Sequence, residues 1–277
     1  MSSELLDFQP PSKRFVRDLM RPFRQYFAPR YYGLDQFDHE RPALFICNHT
    51  VYGLTDGFFL GAKIYEQYGM FVRALVDTMH YTVPVWKDMV AKLGFIPASR
   101  DACRELMEAG QSIMVFPGGT REAFKHKEEE YLLTWKYRIG FAKMAIEKGY
   151  DIIPVAGLGG DEMYKILMDA EDVMHSPFGK FLKLTGFADK FLKGGENIPP
   201  ISRGIGWTGL PRPERVYIYV GERIPTDRFA GRADDEAALF ELRKEVEDAI
   251  YAQFEELKAF RANDTEEEWW RKFLKKL

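Results

Sequence analysis

The residues Ala43-Leu44-Phe45-Ile46-Cys47 form an unbroken apolar run that stops at Asn48-His49. Five apolar residues in a row read as a buried strand. A loop holding Gly53 follows, then Asp56, then an apolar helix expected from about Gly57 to Tyr68. The chain keeps alternating in this way. Further strands are expected at Met70–Val76, Gly94–Pro97, Ser112–Phe116, Ile152–Val155 and Val216–Gly221, and further helices at Val83–Leu93, Asp101–Glu108, Arg138–Lys148 and Asp235–Phe260. Such alternation implies an α/β fold with a mostly parallel central sheet flanked by helices. The last of these helices carries Leu239, Leu242, Val246, Ile250, Phe254 and Leu257 on one side, a pattern that core packing explains.

With 277 residues and 46% hydrophobic composition, the chain can bury a sizeable core. A net charge of −3 gives no reason to expect nucleic acid as a partner. The two cysteines, Cys47 and Cys103, form no cluster with His at metal spacing, so a reduced, intracellular chain without structural zinc is expected. No basic-then-apolar signal opens the sequence, and no apolar run approaches the roughly 20 residues needed to span a bilayer.

The organisation expected is a basic arm over residues 1–40, an α/β domain over 41–262 and an amphipathic tail over 263–277. In the arm, Arg14, Arg17, Arg21 and Arg24 recur at helical spacing, as do Phe15, Leu19, Phe23 and Phe27, with Pro22 expected to break or bend the helix. One cationic and one aromatic face suit a helix lying at an anionic membrane surface, although a surface helix packing its apolar side on the domain has the same pattern. In the tail, Asp264 or Thr265 is the expected cap, and Trp269, Trp270, Phe273, Leu274 and Leu277 share an apolar face flanked by Arg271, Lys272, Lys275 and Lys276. Residues 161–214, without a clean period, read as an irregular insertion near a site mouth or a lipid-facing flap.

Three features carry chemistry. His49 closes a buried strand, and Asp56 lies about two turns on, the arrangement of a general base with a carboxylate on its other nitrogen; a histidine that caps the next helix fits the same residues. Arg100 ends the run Gly94-Phe95-Ile96-Pro97-Ala98-Ser99 just before a helix, placed to meet an anion or to form a surface salt bridge. In Phe116-Pro117-Gly118-Gly119-Thr120-Arg121-Glu122 a strand runs into two glycines that let backbone N–H groups turn toward a ligand, while Arg121 adds charge. A tight strand exit accounts for the same glycines. Arg138-Ile139-Gly140-Phe141, followed by Ile152-Ile153-Pro154-Val155, reads alone as an ordinary helix–turn–strand unit.

Together these four blocks resemble the glycerolipid acyltransferase superfamily, with its pattern of Asn-His-x4-Asp, Gly-Phe-Ile-x-x-x-Arg, Phe-Pro-Glu-Gly-Thr-Arg and an Ile-Pro-Val strand. Residues 43–160 hold all four in order. Gly118-Gly119 with Glu122-Ala123, then Tyr131-Leu132, Arg138-x-Gly-Phe and Ile153-Pro154-Val155, are similar to the type-2 diacylglycerol acyltransferase-like group, which includes plant phytyl ester synthases. Two departures stand out. Six residues, not four, separate His49 from Asp56, so Tyr52-Gly53 must bulge for the carboxylate to reach the imidazole. Gly118 also replaces the common glutamate, which favours a neutral alcohol over a glycerol phosphate.

The resemblance implies a membrane-surface O-acyltransferase, cytoplasmic and peripherally bound through residues 13–32 and 264–277. The acyl donor is an acyl thioester on CoA or acyl carrier protein, and neither cofactor nor metal is needed. The acceptor is a lipid hydroxyl such as that of diacylglycerol or a long-chain alcohol. His49 and Asp56 are the implied catalytic pair; Arg100, Gly118, Gly119, Thr120, Arg121 and Glu122 bind substrate, the arginines through phosphate and the Gly118–Thr120 amides through the oxyanion. A lysophosphatidate acyltransferase is the alternative. A lipid ester hydrolase is more distant, since no Gly-x-Ser-x-Gly elbow is present, as is a non-catalytic lipid-binding protein. His126 reads as a loop residue rather than a second base.

Overall fold

The computed structural model describes residues 5–53, 55–82, 84–177, 179 and 198–277; of Asp56, Met79 and Trp86 it describes the backbone alone. Helix α1 (Lys13–Phe27) leads into β1 (Arg30–Tyr32) and β2 (Leu44–Cys47). Then come α2 (Asp56–Tyr68), β3 (Arg73–Val76), α3 (Trp86–Lys92), β4 (Ile96–Pro97), α4 (Arg100–Glu108), β5 (Ile113–Val115), the short α5 (Gly119–Ala123), α6 (Gly140–Lys148) and β6 (Ile152–Leu158). A hairpin follows, β7 (Lys165–Met168) and β8 (Ile201–Arg203), with α7 (Ala170–His175) between them; β9 (Tyr217–Val220), α8 (Glu236–Asn263) and α9 (Trp269–Lys276) close the described chain.

Seven strands form one sheet in the order β1-β9-β6-β2-β5-β3-β4. Every neighbouring pair is parallel except β6–β9. Strand β2 lies at the centre between β5 and β6 and is buried on both faces. Successive side chains of a strand point to opposite faces, so the apolar run feeds two cores. Ala43, Phe45 and Cys47 pack with Phe27, Phe59, Leu60 and Ile64 of α1 and α2. Leu44 and Ile46 join Leu106, Ala142, Leu242, Val246 and Ile250 of α4, α6 and α8. Helices on both faces therefore leave the carboxyl ends of the parallel strands as the open rim, where α/β proteins hold their ligands.

Several expectations are corrected. Residues 30–32, placed in the arm by sequence, form an edge strand whose partner is β9. Helix α1 runs through Pro22 without ending there. Its inward residues are Val16, Met20 and Phe27, whereas Phe15, Leu19 and Phe23 face solvent. Within 161–214, the hairpin and α7, the latter opened by an Asp169–Asp172 capping box, replace irregular chain; residues 178 and 180–197 of that stretch lie outside the described residues. The tail helix starts at Trp269 rather than near Asp264, because Asp264 is held elsewhere, by Arg215 and by the Tyr217 hydroxyl at 3.1 Å. Arg271, fully buried, donates to the carbonyls of Gln25 and Tyr26 and so caps the open end of α1. Among the described residues no helix is long and apolar enough to cross a membrane.

Candidate active site

His49 follows the last residue of β2, at the carboxyl rim of the sheet. Asn48, buried just before it, fixes the strand end: its amide donates to the Gly157 carbonyl at 3.1 Å and accepts the Gly157 N–H at 2.7 Å. The imidazole, half-buried, stacks on the Phe116 ring at 4.2 Å with 15° between planes. The His49 backbone N–H donates to Glu122 Oε1 at 2.7 Å. It thereby uses a fully buried carboxylate from α5. Such a carboxylate acceptor bonds a backbone N–H more strongly than a neutral oxygen does.

The double-glycine turn is shaped to receive that carboxylate. A Cβ at position 118 would sit 1.8 Å from Glu122 Oε2, so only glycine fits beneath it. The carboxylate that sequence comparison finds missing at 118 is thus supplied from 122, one helical turn on. Gly119 takes φ +52°, and its N–H donates to the Phe116 carbonyl at 3.0 Å, which removes it from the set of oxyanion donors. Arg138 donates to the Pro117 carbonyl at 2.8 Å and also to that of Gly118. In a trans peptide the N–H points opposite its C=O, so Arg138 directs the Gly118 N–H away from itself. Sequence reasoning assigned Arg138 to an ordinary helix and missed this role; it precedes α6 rather than lying within it.

His49 opens onto a cavity of about 290 Å³ walled by Phe58, Phe95, Phe116 and Phe124, with Gly119 and Thr120 at its edge. The Thr120 hydroxyl donates to Asp77 at 2.9 Å. His80, four residues beyond β3, lines the same cavity without having been singled out beforehand, as does Tyr52, which sequence treated only as part of a bulge. An Asp-x-x-His run just past a strand end was the available signal for Asp77 and His80.

The other proposed residues are distributed differently. Asp56 opens α2, and its side chain lies outside the described residues. Between it and His49, residues Val51–Gly53 form a tight turn in which Tyr52 and Gly53 both take left-handed φ (62° and 64°). Arg121 does not line the cavity: its guanidinium grips Glu129 at 2.8 and 2.5 Å. Burial pushes the Glu129 carboxyl up, but Arg121 and the His126 N–H outweigh it and hold the group below the usual range. Arg100, exposed at the first position of α4, lines a neighbouring cavity of about 250 Å³ that shares Leu75, Ala98 and Val115 with that of His49. His126 serves the loop by donating its N–H to Glu129 at 2.7 Å.

A second buried carboxylate holds the far side of the His49 turn. Asp161 accepts the N–H of Val51 and that of Tyr131, each at 2.9 Å, and lies 3.6 Å from the equally buried Lys125 ammonium. Burial raises the Asp161 carboxyl to about 6, against the opposing pull of Lys125 and the two N–H donors.

With this geometry established, the chain can be compared with known proteins. A family model described as Acyltransferase matches residues 28–157, which hold His49, Arg100 and the Gly118–Glu122 turn. An uncharacterized protein of Mycobacterium leprae is 28% identical over 259 residues, covering 90% of this chain and 66% of its own, so the chain spans about two thirds of that relative. Phytyl ester synthase 2 of Arabidopsis thaliana is 30% identical over 195 residues, 69% of this chain and 27% of its own. Among solved structures, the 1-acyl-sn-glycerophosphate (LPA) acyltransferase PlsC of Thermotoga maritima superposes with a TM-score of 0.51 over 89% of this chain and 80% of its own, at 18% identity. That likeness concerns the fold.

Proposed function

Because the chain belongs to the glycerolipid acyltransferase superfamily, we propose that it transfers a fatty acyl group from an acyl thioester, on CoA or acyl carrier protein, to the hydroxyl of a neutral lipid acceptor such as a long-chain alcohol or diacylglycerol. The observation that carries this reading is an imidazole facing a phenylalanine-lined cavity, with its backbone fixed by Glu122 beside the Gly118-Gly119 turn. His49 takes the hydroxyl proton as the alcohol oxygen attacks the thioester carbonyl. The tetrahedral oxyanion is met by N–H groups of the turn, with Gly118 and Thr120 the donors in reach of this role once Gly119 is committed. Collapse releases the thiolate, which recovers the proton from the imidazolium, so the ester and a thiol leave a restored base. General-base catalysis of this type contributes roughly 10²–10⁴ in rate. Phenylalanines around the base keep water from competing as acceptor.

A neutral acceptor is favoured over lysophosphatidate because neither Arg100 nor Arg121 lines the His49 cavity. The acceptor arrives from a membrane surface, to which the outward Phe15, Leu19 and Phe23 of α1 and Trp269 and Phe273 of α9 add apolar contact, beside exposed Arg14, Arg17, Arg21, Lys272 and Lys276. The test is a side-by-side assay of purified protein with labelled acyl-CoA and three acceptors. Hexadecanol or diacylglycerol is expected to exceed lysophosphatidate; the reverse order overturns the choice of acceptor, and steady hydrolysis without any acceptor overturns acyl transfer itself.

A further inference from the structure

The turn after His49 contains a cost that a glycine would remove. Tyr52 takes φ 62° and ψ −1°, a left-handed conformation in which a side chain costs about 1–2 kcal/mol. Strain of this sort persists only where the surroundings enforce it, and it concentrates at binding and catalytic sites. Here the surroundings enforce it from three sides. The Tyr52 hydroxyl donates to the Pro200 carbonyl at 2.5 Å and lies 2.7 Å from Ser202 Oγ, both at the start of β8. Its ring meets Tyr164 edge-on at 5.0 Å, and Phe124, directly after the helix that carries Glu122, at 6.4 Å. The following residue, Gly53, closes the turn onto the Thr50 carbonyl at 2.9 Å. The outcome is a ring fixed as a wall of the cavity that His49 faces.

We propose that Tyr52 is a specificity-determining residue: its anchored ring narrows the space beside His49 so that an unbranched primary alcohol chain is accepted and an alcohol branched next to its hydroxyl-bearing carbon is refused. This inference rests on the acyl-transfer reading above and chooses between its two acceptors: for the long-chain alcohol, and against diacylglycerol, whose carbon next to the hydroxyl-bearing one carries an ester branch. A branch at that carbon adds width at the level of the base, where the cavity is bounded by Tyr52 on one side and by aromatic rings such as Phe116 on others. Because the hydroxyl is held by Pro200 and Ser202, the ring cannot swing aside to admit it without breaking those bonds.

The experiment is a competition in one vessel between hexadecanol and its branched isomer 2-hexyldecanol, equal in carbon number, with labelled acyl-CoA. The product ratio reports relative kcat/KM and is independent of how much enzyme is folded, so a merely structural role would not move it. The wild type is expected to prefer the straight chain by about tenfold or more, a typical range for pocket discrimination by size. Tyr52→Asn removes the ring, and asparagine enters the left-handed region readily; it should cut the preference by about tenfold. Tyr52→Phe keeps the ring but frees it from Pro200 and Ser202, so it should cut the preference by about two- to fivefold, less than Tyr52→Asn does. Tyr52→Gly serves as a second shortened variant on a relaxed backbone. An unmoved ratio in the Asn and Gly variants overturns the role of Tyr52 and leaves acyl transfer standing. A wild type that esterifies neither alcohol nor diacylglycerol overturns both; one that esterifies diacylglycerol alone overturns this inference and leaves acyl transfer standing.

Discussion

Two buried carboxylates hold the turn that follows β2, and they do so differently. Glu122 accepts the N–H of His49 itself and comes from α5, the helix that forms the rim of the cavity. Asp161 accepts the N–H of Val51, two residues on, and stands against a buried ammonium as well as the Tyr131 N–H. The first bond fixes the base relative to the glycine turn; the second fixes the turn relative to the body of the protein. Changes at Glu122 should therefore register in rate, and changes at Asp161 in stability.

The sharpest test removes what both bonds serve. His49→Ala is expected to abolish acyl transfer, by about 10³ or more, with thermal stability close to wild type because the imidazole is only half-buried and backbone bonding at 49 is retained. A variant that unfolds would make His49 a structural residue. Next in size is Asp161→Asn, which puts an NH2 group where one of the two carboxylate oxygens accepts the N–H of Val51 or Tyr131; about 1–3 kcal/mol of stability is at stake when a buried donor loses its acceptor, read by chemical denaturation. The activity of the remaining folded fraction should stay comparable, and a loss confined to rate would erase the contrast between the two carboxylates.

Acidity separates them further. Burial lifts the Asp161 carboxyl from 3.8 to about 6, with Lys125 and the two N–H donors opposing. Between these values the folded chain holds a proton that the unfolded chain has released. The contribution of Asp161 to stability is then fully present below about pH 4 and is lost as pH rises through about 6. Melting curves between pH 4 and 7 should show wild type losing stability relative to Asp161→Asn across that window. Parallel curves would place the titration elsewhere.

On the cavity side, Glu122→Gln keeps an acceptor for the His49 N–H but gives up the charge-assisted part of the bond. A drop in kcat of about tenfold is expected, in line with the 1–2 kcal/mol that separates charged from neutral hydrogen bonds, with little change in melting temperature. Gly118→Ala should imitate it, since the added Cβ would sit 1.8 Å from Glu122 Oε2 and displace that carboxylate.

The same contrast explains what could be read from sequence. Where a residue's role is set by neighbours along the chain, the pattern was visible: the apolar run of β2, the stripe of α8 and the exit of β5 toward the double glycine all appear where expected, whereas the short α5 that follows was not foreseen. Roles set by distant partners were not visible. Asp161 is 110 residues from Val51 and Asn48 is 109 from Gly157, and nothing local marks either pairing. Strand β1 is three residues, Arg-Tyr-Tyr, without an apolar run, and exists because β9 offers it an edge. Strand β6 continues past Val155 to Leu158 for a related reason, since residues 155–158 pair antiparallel with β9. The hairpin β7–β8 joins segments separated by more than thirty positions, beyond the reach of periodicity.

The smallest expected effects concern the two arginines that the family resemblance assigned to phosphate. Arg121 is nearly enclosed and bonded at both nitrogens to Glu129, which also takes the His126 N–H. To hold a phosphate it would have to abandon a carboxylate already in bidentate contact, an exchange of one anion for another with little net gain. Arg121→Gln should then leave KM for acyl-CoA within about twofold and appear instead as a loss of about 1 kcal/mol in stability, the size of a partly screened pair. Arg100 has no such partner to give up among the ion pairs of the described residues and sits at the mouth of the adjoining cavity, which shares three wall residues with that of His49. Arg100→Ala should raise KM for acyl-CoA by a few-fold at low salt, with the effect fading as ionic strength screens an exposed charge. If Arg121→Gln moves KM more than Arg100→Ala does while leaving stability untouched, the Glu129 clasp opens when donor binds, and the anion contact belongs to the glycine turn rather than to the start of α4.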